Sequence, residues 1–81
     1  MNTNLLKEIE NILKTANIEE YQAEAKLILT EISKLSYEEI LLGKNIENEK
    51  EILEIANIRA QINKTKVNFA YTFFIFLLSL N

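Results

Sequence analysis

The chain contains no cysteine, histidine, proline, tryptophan or aspartate, and only one glycine, Gly43. Without cysteine there is neither a disulfide nor a thiol nucleophile, and without histidine there is no imidazole base. Together the two absences remove the common zinc and haem ligand sets. All twelve acidic residues are glutamates, and none clusters in a loop of EF-hand type. Serines and lysines remain, but in no recognisable nucleophile–base frame. No catalytic, cofactor-binding or metal-ligating residue is assigned on these grounds. The near absence of helix breakers, with abundant Ile, Leu, Glu and Lys, favours helix over sheet.

What is present suits one small domain. Hydrophobic residues make up 48% of the 81, enough for a core. At this size a single core supplies only about 3–5 kcal/mol of net stability. Charge is unevenly spread. Residues 1–54 hold twelve Glu and six Lys, a net of −6, while 55–81 hold Arg59, Lys64 and Lys66, a net of +3; the whole is −3. An acidic helical half argues against nucleic acid as a partner, because phosphate neutralisation needs a basic face. The N-terminus does not read as a targeting signal. Residues 1–4 lack a basic region and 5–16 are amphipathic, so a cytoplasmic location is expected.

The periodicity predicts four helices. In the first, Leu5, Leu6, Ile9, Ile12, Leu13 and Ala16 fall within a stripe of roughly 120°. Thr3 or Asn4 is placed to cap its start and Asn17 its end, in the left-handed region. Ile18 reads as a plug into the core. The second helix runs from Glu20 or Gln22 to Lys34 and buries Ala25, Ile28, Leu29, Ile32 and Leu35. Leu27 and Ala23 lie off that arc, so neighbours are expected on two sides. Ser36 and Glu39 form a capping box for a third helix, residues 37–42, with Leu35 and Ile40 placed as a hydrophobic staple. Gly43 sits where a C-terminal cap needs positive φ. Asn48 and Glu51 make another cap pair, opening a fourth helix over 49–62.

That fourth helix holds an anomaly. Ile52, Ile55, Ala56, Ile58 and Ile62 define its apolar face, yet Arg59 projects into the middle of the arc. A guanidinium there must be paired, or its stem must reach to water. Glu24 or another glutamate at the bundle end is the candidate partner, in a structural ion pair that fixes helix packing rather than binds a ligand.

The hydrophobic run at 69–80, FAYTFFIFLLSL, is a dozen residues long. As a helix it would reach about 18 Å, short of the ~30 Å membrane core. Three readings compete: a linker hairpin cut short, a final helix packed on the bundle, or an interfacial membrane anchor preceded by Arg59, Lys64 and Lys66. An exposed run of this kind also favours self-association. The division expected is a helical bundle at 1–66 and a hydrophobic tail at 67–81.

The stretch 24–42 carries a resemblance. Glu24-Ala25 followed by Leu27-Ile28-Leu29, then Leu35-Ser36 and Glu39-Ile40-Leu41-Leu42, resembles the N-terminal helical domain of the release-factor glutamine-N5 methyltransferases. Those show an acidic residue and Ala, a Leu-rich turn, Leu-Ser and Glu-Leu-Leu at this spacing. In a second block, Arg59 matches an arginine of the family's pair, Val67 an aliphatic position, Phe69 a tyrosine and Phe76 a phenylalanine. Lys66, Ala70 and Thr72 depart from the family's proline, isoleucine and glycine, so the end of the domain is expected to be degenerate.

The resemblance implies an all-α bundle of four to five helices that assists docking of a peptide chain release factor. The family's methyl transfer uses S-adenosylmethionine, a Rossmann-like sheet with a Gly-rich turn, and an Asn-Pro-Pro-Tyr loop. With no proline and one glycine, this chain reads as a detached front piece that lacks the catalytic domain and its cofactor. In isolation it is expected to be inactive. The competing class is a small structural or membrane-associated helical protein whose tail lies in the lipid interface.

Overall fold

Apolar residues three and four positions apart lead this sequence into helices, and the helices bury their stripes against one another. A computed structural model describes residues 3–64 and 77–79. Among them are four helices and no strand: α1 (Thr3–Thr15), α2 (Tyr21–Ser33), α3 (Tyr37–Leu41) and α4 (Glu49–Lys64). The protein is thus all-α, and α1, α2 and α4 each pack against the other two.

Each turn is set by local chemistry. Asn17, at φ 63°, closes α1. Its amide donates to the Lys14 carbonyl at 2.9 Å, and the Ile18 amide donates to that of Leu13 at 3.2 Å. This is a Schellman pair, and it drops Ile18 into the core beside Leu13. After α2, Lys34 adopts the left-handed conformation at φ 65° and donates its amide to Thr30. Lysine has no preference for that region, so α2 ends at Ser33, one residue before the expected Lys34. Leu35 donates its amide to the Ser33 hydroxyl at 3.2 Å, and Ser36 opens the capping box. There the Glu39 amide donates to Ser36 Oγ at 3.1 Å, and the Ser36 amide to Glu39 Oε1 at 2.9 Å. Gly43, at φ 85°, ends α3 with a second Schellman pair, Gly43 to Ile40 and Lys44 to Glu39. Lys44 Nζ then reaches Glu39 Oε2 at 2.9 Å.

The core unites Leu5, Ile9 and Leu13 of α1, Ala25, Ile28, Leu29 and Ile32 of α2, and Ile52, Ala56 and Ala60 of α4. Ile40 brings α3 into it, Ile46 the following loop, and Leu77 the C-terminal run. Direction is given by two long-range hydrogen bonds. Asn48 Nδ2 donates to the Ile32 carbonyl at 2.8 Å, and Asn63 Nδ2 to that of Ala16 at 2.7 Å. The start of α4 therefore meets the end of α2, and the end of α4 meets the end of α1. The helices run up, down and up, with α3 filling the connection between α2 and α4.

Several expectations need correction. Ile58 is 51% exposed rather than part of the α4 face. The face that is buried consists of Ile52, Ala56, Arg59 and Ala60, with Ile55 and Ile62 half-buried on one flank. At 100° per residue these four residues fall on one arc and Ile58 falls well outside it. Ala23 is exposed; of the two residues off the α2 arc, only Leu27 packs against the core. Thr3 lies within α1 rather than ahead of it, and α4 continues two residues past Ile62. No helix formed by the described residues is long and apolar enough to cross a membrane. The boundary expected between 66 and 67, and most of the 69–80 run, lie outside the described residues. Of that run, Leu77 and Leu78 are helical, Leu77 is buried and Leu78 exposed.

The packing can be probed at two isoleucines. Ile28→Ala, at a fully buried site, should cost about 2–5 kcal/mol, which is most of the stability of so small a domain, and urea unfolding should lose its cooperative transition. Ile58→Ala should stay within about 0.5 kcal/mol of the parent. The capping box gives a pH signature. The Ser36 amide, then Lys44, hold the Glu39 carboxyl at about 2 against an ordinary 4.5. A value depressed by folding means stability present above about pH 4.5 and lost as pH falls toward 2. Urea midpoints for Glu39→Gln should lie below the parent's at pH 6 and converge with them near pH 2. Ser36→Ala should cost about 1 kcal/mol at pH 6.

Candidate protein-docking surface

A buried ion pair lies inside the bundle. Arg59 is 3% exposed, and its neighbours on the buried arc, Ala56 and Ala60, are small enough to leave room for its stem. Its guanidinium meets Glu24 in the first turn of α2, with Nε to Oε1 at 2.6 Å and Nη2 to Oε2 at 3.1 Å. Both carboxylate oxygens are engaged in a fork-to-fork pair, the geometry that arginine alone provides. Glu24 sits at the positive end of the α2 dipole, which favours its charge. The structure thus brings the two expected residues together across 35 positions. A buried fork of this kind holds α2 against α4.

Surface features lie elsewhere. Leu42 is 86% exposed and Leu41 49%, so the end of α3 presents two leucines to solvent. Where α2 ends and α4 begins, a cleft of about 510 Å³ opens. Ile32 and Leu35 form the apolar part of its wall, and Glu31, Lys34, Glu47 and Glu51 the charged part. Asn48, also on the wall, is fixed by its bond to the Ile32 carbonyl. Asn48 reads locally as a helix cap, and neither this cleft nor the Asn63 clamp has a signal in the sequence. Both depend on contacts across 16 and 47 residues, for which an isolated asparagine carries no local signal.

The cofactor implied by the resemblance can be tested against these residues. A nucleoside group of that kind is cradled at the ends of parallel strands by a glycine-rich turn. The described residues form no strand, and Gly43 is committed to closing α3 with open space beside it. Among the described residues, that cradle has no counterpart. Among the described residues, no group of three or more Glu side chains is placed to hold a metal ion.

No protein-family model, curated protein or solved structure matches this chain.

The ion pair makes a specific demand on stability. Glu24→Leu, which strands a buried guanidinium, should cost about 3–5 kcal/mol. The double variant Glu24→Leu/Arg59→Leu should recover most of that loss, because neither charge is then left alone. Urea unfolding of the parent, both single variants and the double closes the cycle. Additive losses would mean that the pair is not coupled.

Proposed function

We propose that this chain is a protein-docking helical module of the kind that precedes the catalytic domain in release-factor glutamine methyltransferases, and that its partner is a peptide chain release factor. One observation supports the reading above the others. The resemblance rests on two blocks, one containing Glu24 and the other Arg59, and those two residues form a bidentate pair inside the bundle. On this reading the module works in the cytoplasm. It contributes binding surface, and methyl transfer belongs to residues outside this chain.

Such a module would be recognised by binding without chemistry. Purified release factor passed over the immobilised chain should be retained, with a Kd of about tens of micromolar or tighter. Absence of binding at that concentration would overturn the proposal. Methyl transfer to the release factor by these 81 residues alone would overturn it equally.

A further inference from the structure

The outer side of α4 carries opposite charges at its two ends. At 100° per residue, Glu54, Asn57, Gln61 and Lys64 fall within about 80° of one another, on the side opposite Arg59. All four are exposed. Their spacing of three, four and three is that of the a and d positions of a coiled coil. Ile58 stands at the edge of this strip and is half out in solvent. Beside it Asn57, Ile58, Gln61 and the half-buried Ile62 line a hollow of about 340 Å³. Glu54 and Lys64 enter neither of the ion pairs formed by the described residues, Glu24–Arg59 and Glu39–Lys44. Asn57 Nδ2 donates to the Leu53 carbonyl at 3.0 Å, which leaves its Oδ1 as an acceptor.

We propose that this strip is a self-association surface, on which a second copy of the chain packs its own α4 antiparallel, about a two-fold axis level with Arg59. The charges choose both the occupant and the direction. In the antiparallel arrangement Glu54 lies opposite the second copy's Lys64, and Asn57 Oδ1 lies opposite the amide of its Gln61. The two-fold repeats each contact, so one strip supplies both halves of an isologous interface. Parallel pairing would set Glu54 against Glu54 and Lys64 against Lys64, which is repulsive at both ends. A uniformly acidic or basic helix would match one end of the strip only, whereas the chain itself matches both. The same axis brings each Ile58 alongside the other copy's hollow, where its exposed side leaves water. One face of a 16-residue helix per copy falls short of the ~1,200 Å² buried in a stable interface. The dimer is therefore weak, with a Kd of about 0.1–1 mM. This inference is independent of the docking role proposed above.

Sedimentation equilibrium of the 81-residue chain up to about 2 mM, with amide NMR shifts over the same range, tests the pairing. The mean mass should rise toward that of two chains, with shifts centred on residues 54–64. Ile58→Asp should weaken association at least about tenfold, with helix content by circular dichroism unchanged. Glu54→Lys alone and Lys64→Glu alone should each weaken it about tenfold, because both ion pairs become like-charged contacts. An equimolar mixture of those two variants should return to within about twofold of the parent, and so should the double variant Glu54→Lys/Lys64→Glu, because each opposition of charge is re-formed. A chain that stays monomeric at about 2 mM, or association that survives Ile58→Asp, would overturn the proposal. Single charge reversals without effect, or a double variant as weak as the singles, would overturn it as well.

Discussion

The bidentate contact between Glu24 and Arg59 is the constraint around which this bundle is arranged. A guanidinium on the buried arc of α4 is tolerable only where a carboxylate meets it, so the pair fixes the rotation of α4 and its register against α2. A hydrophobic contact at that position could slide by a turn at modest cost; a forked ion pair at 2.6 and 3.1 Å cannot. Once register is fixed there, Ile52 and Ala56 fall against Ile28, Leu29 and the α1 stripe, and the core closes.

The ends of α4 are held by a second device of the same logic. Helix C-termini leave carbonyls without intrahelical donors. Ala16, just past the end of α1, and Ile32, in the last turn of α2, each offer such a carbonyl, and each receives an asparagine amide from the α4 segment. With no disulfide or proline to limit its motions, the chain satisfies exposed backbone acceptors from a third helix and gains orientation at the same time. In a domain whose core supplies only about 3–5 kcal/mol, two such bonds at about 1 kcal/mol each are a substantial share.

How much could be read from the sequence depends on the range of the interactions. The capping box, Gly43, the left-handed Asn17 and the stripes of α1 and α2 depend on residues within five positions of one another, and all are visible in order along the chain. Arg59 was conspicuous because it broke a pattern, and Glu24 was one candidate among several glutamates. The α4 face was only partly legible. Isoleucine recurs along that helix on more than one side, so counting apolar residues drew Ile58 into an arc that geometry gives to Arg59 and Ala60. Lys34 and the cleft were not legible at all. A lysine in the left-handed region is imposed by the cap beside it, and a cleft belongs to two helix ends that only the fold brings together.

The same absences that simplify the fold bear on where function can reside. The buried polar side chain of the core is committed to a partner inside the bundle, and the amides of Asn48 and Asn63 are committed to backbone. The groups left over lie on the surface: glutamates whose charge the described lysines only partly answer, and leucines at the end of α3. At the junction of α2 and α4 this surplus is not neutral to folding. Glu31 opposes the dipole of its own helix, and Lys34, at the C-cap, places a cation at the same end. The Asn48–Ile32 bond closes that junction from the α4 side, so the bundle is held there by a neutral hydrogen bond while the glutamates around it stay on the surface.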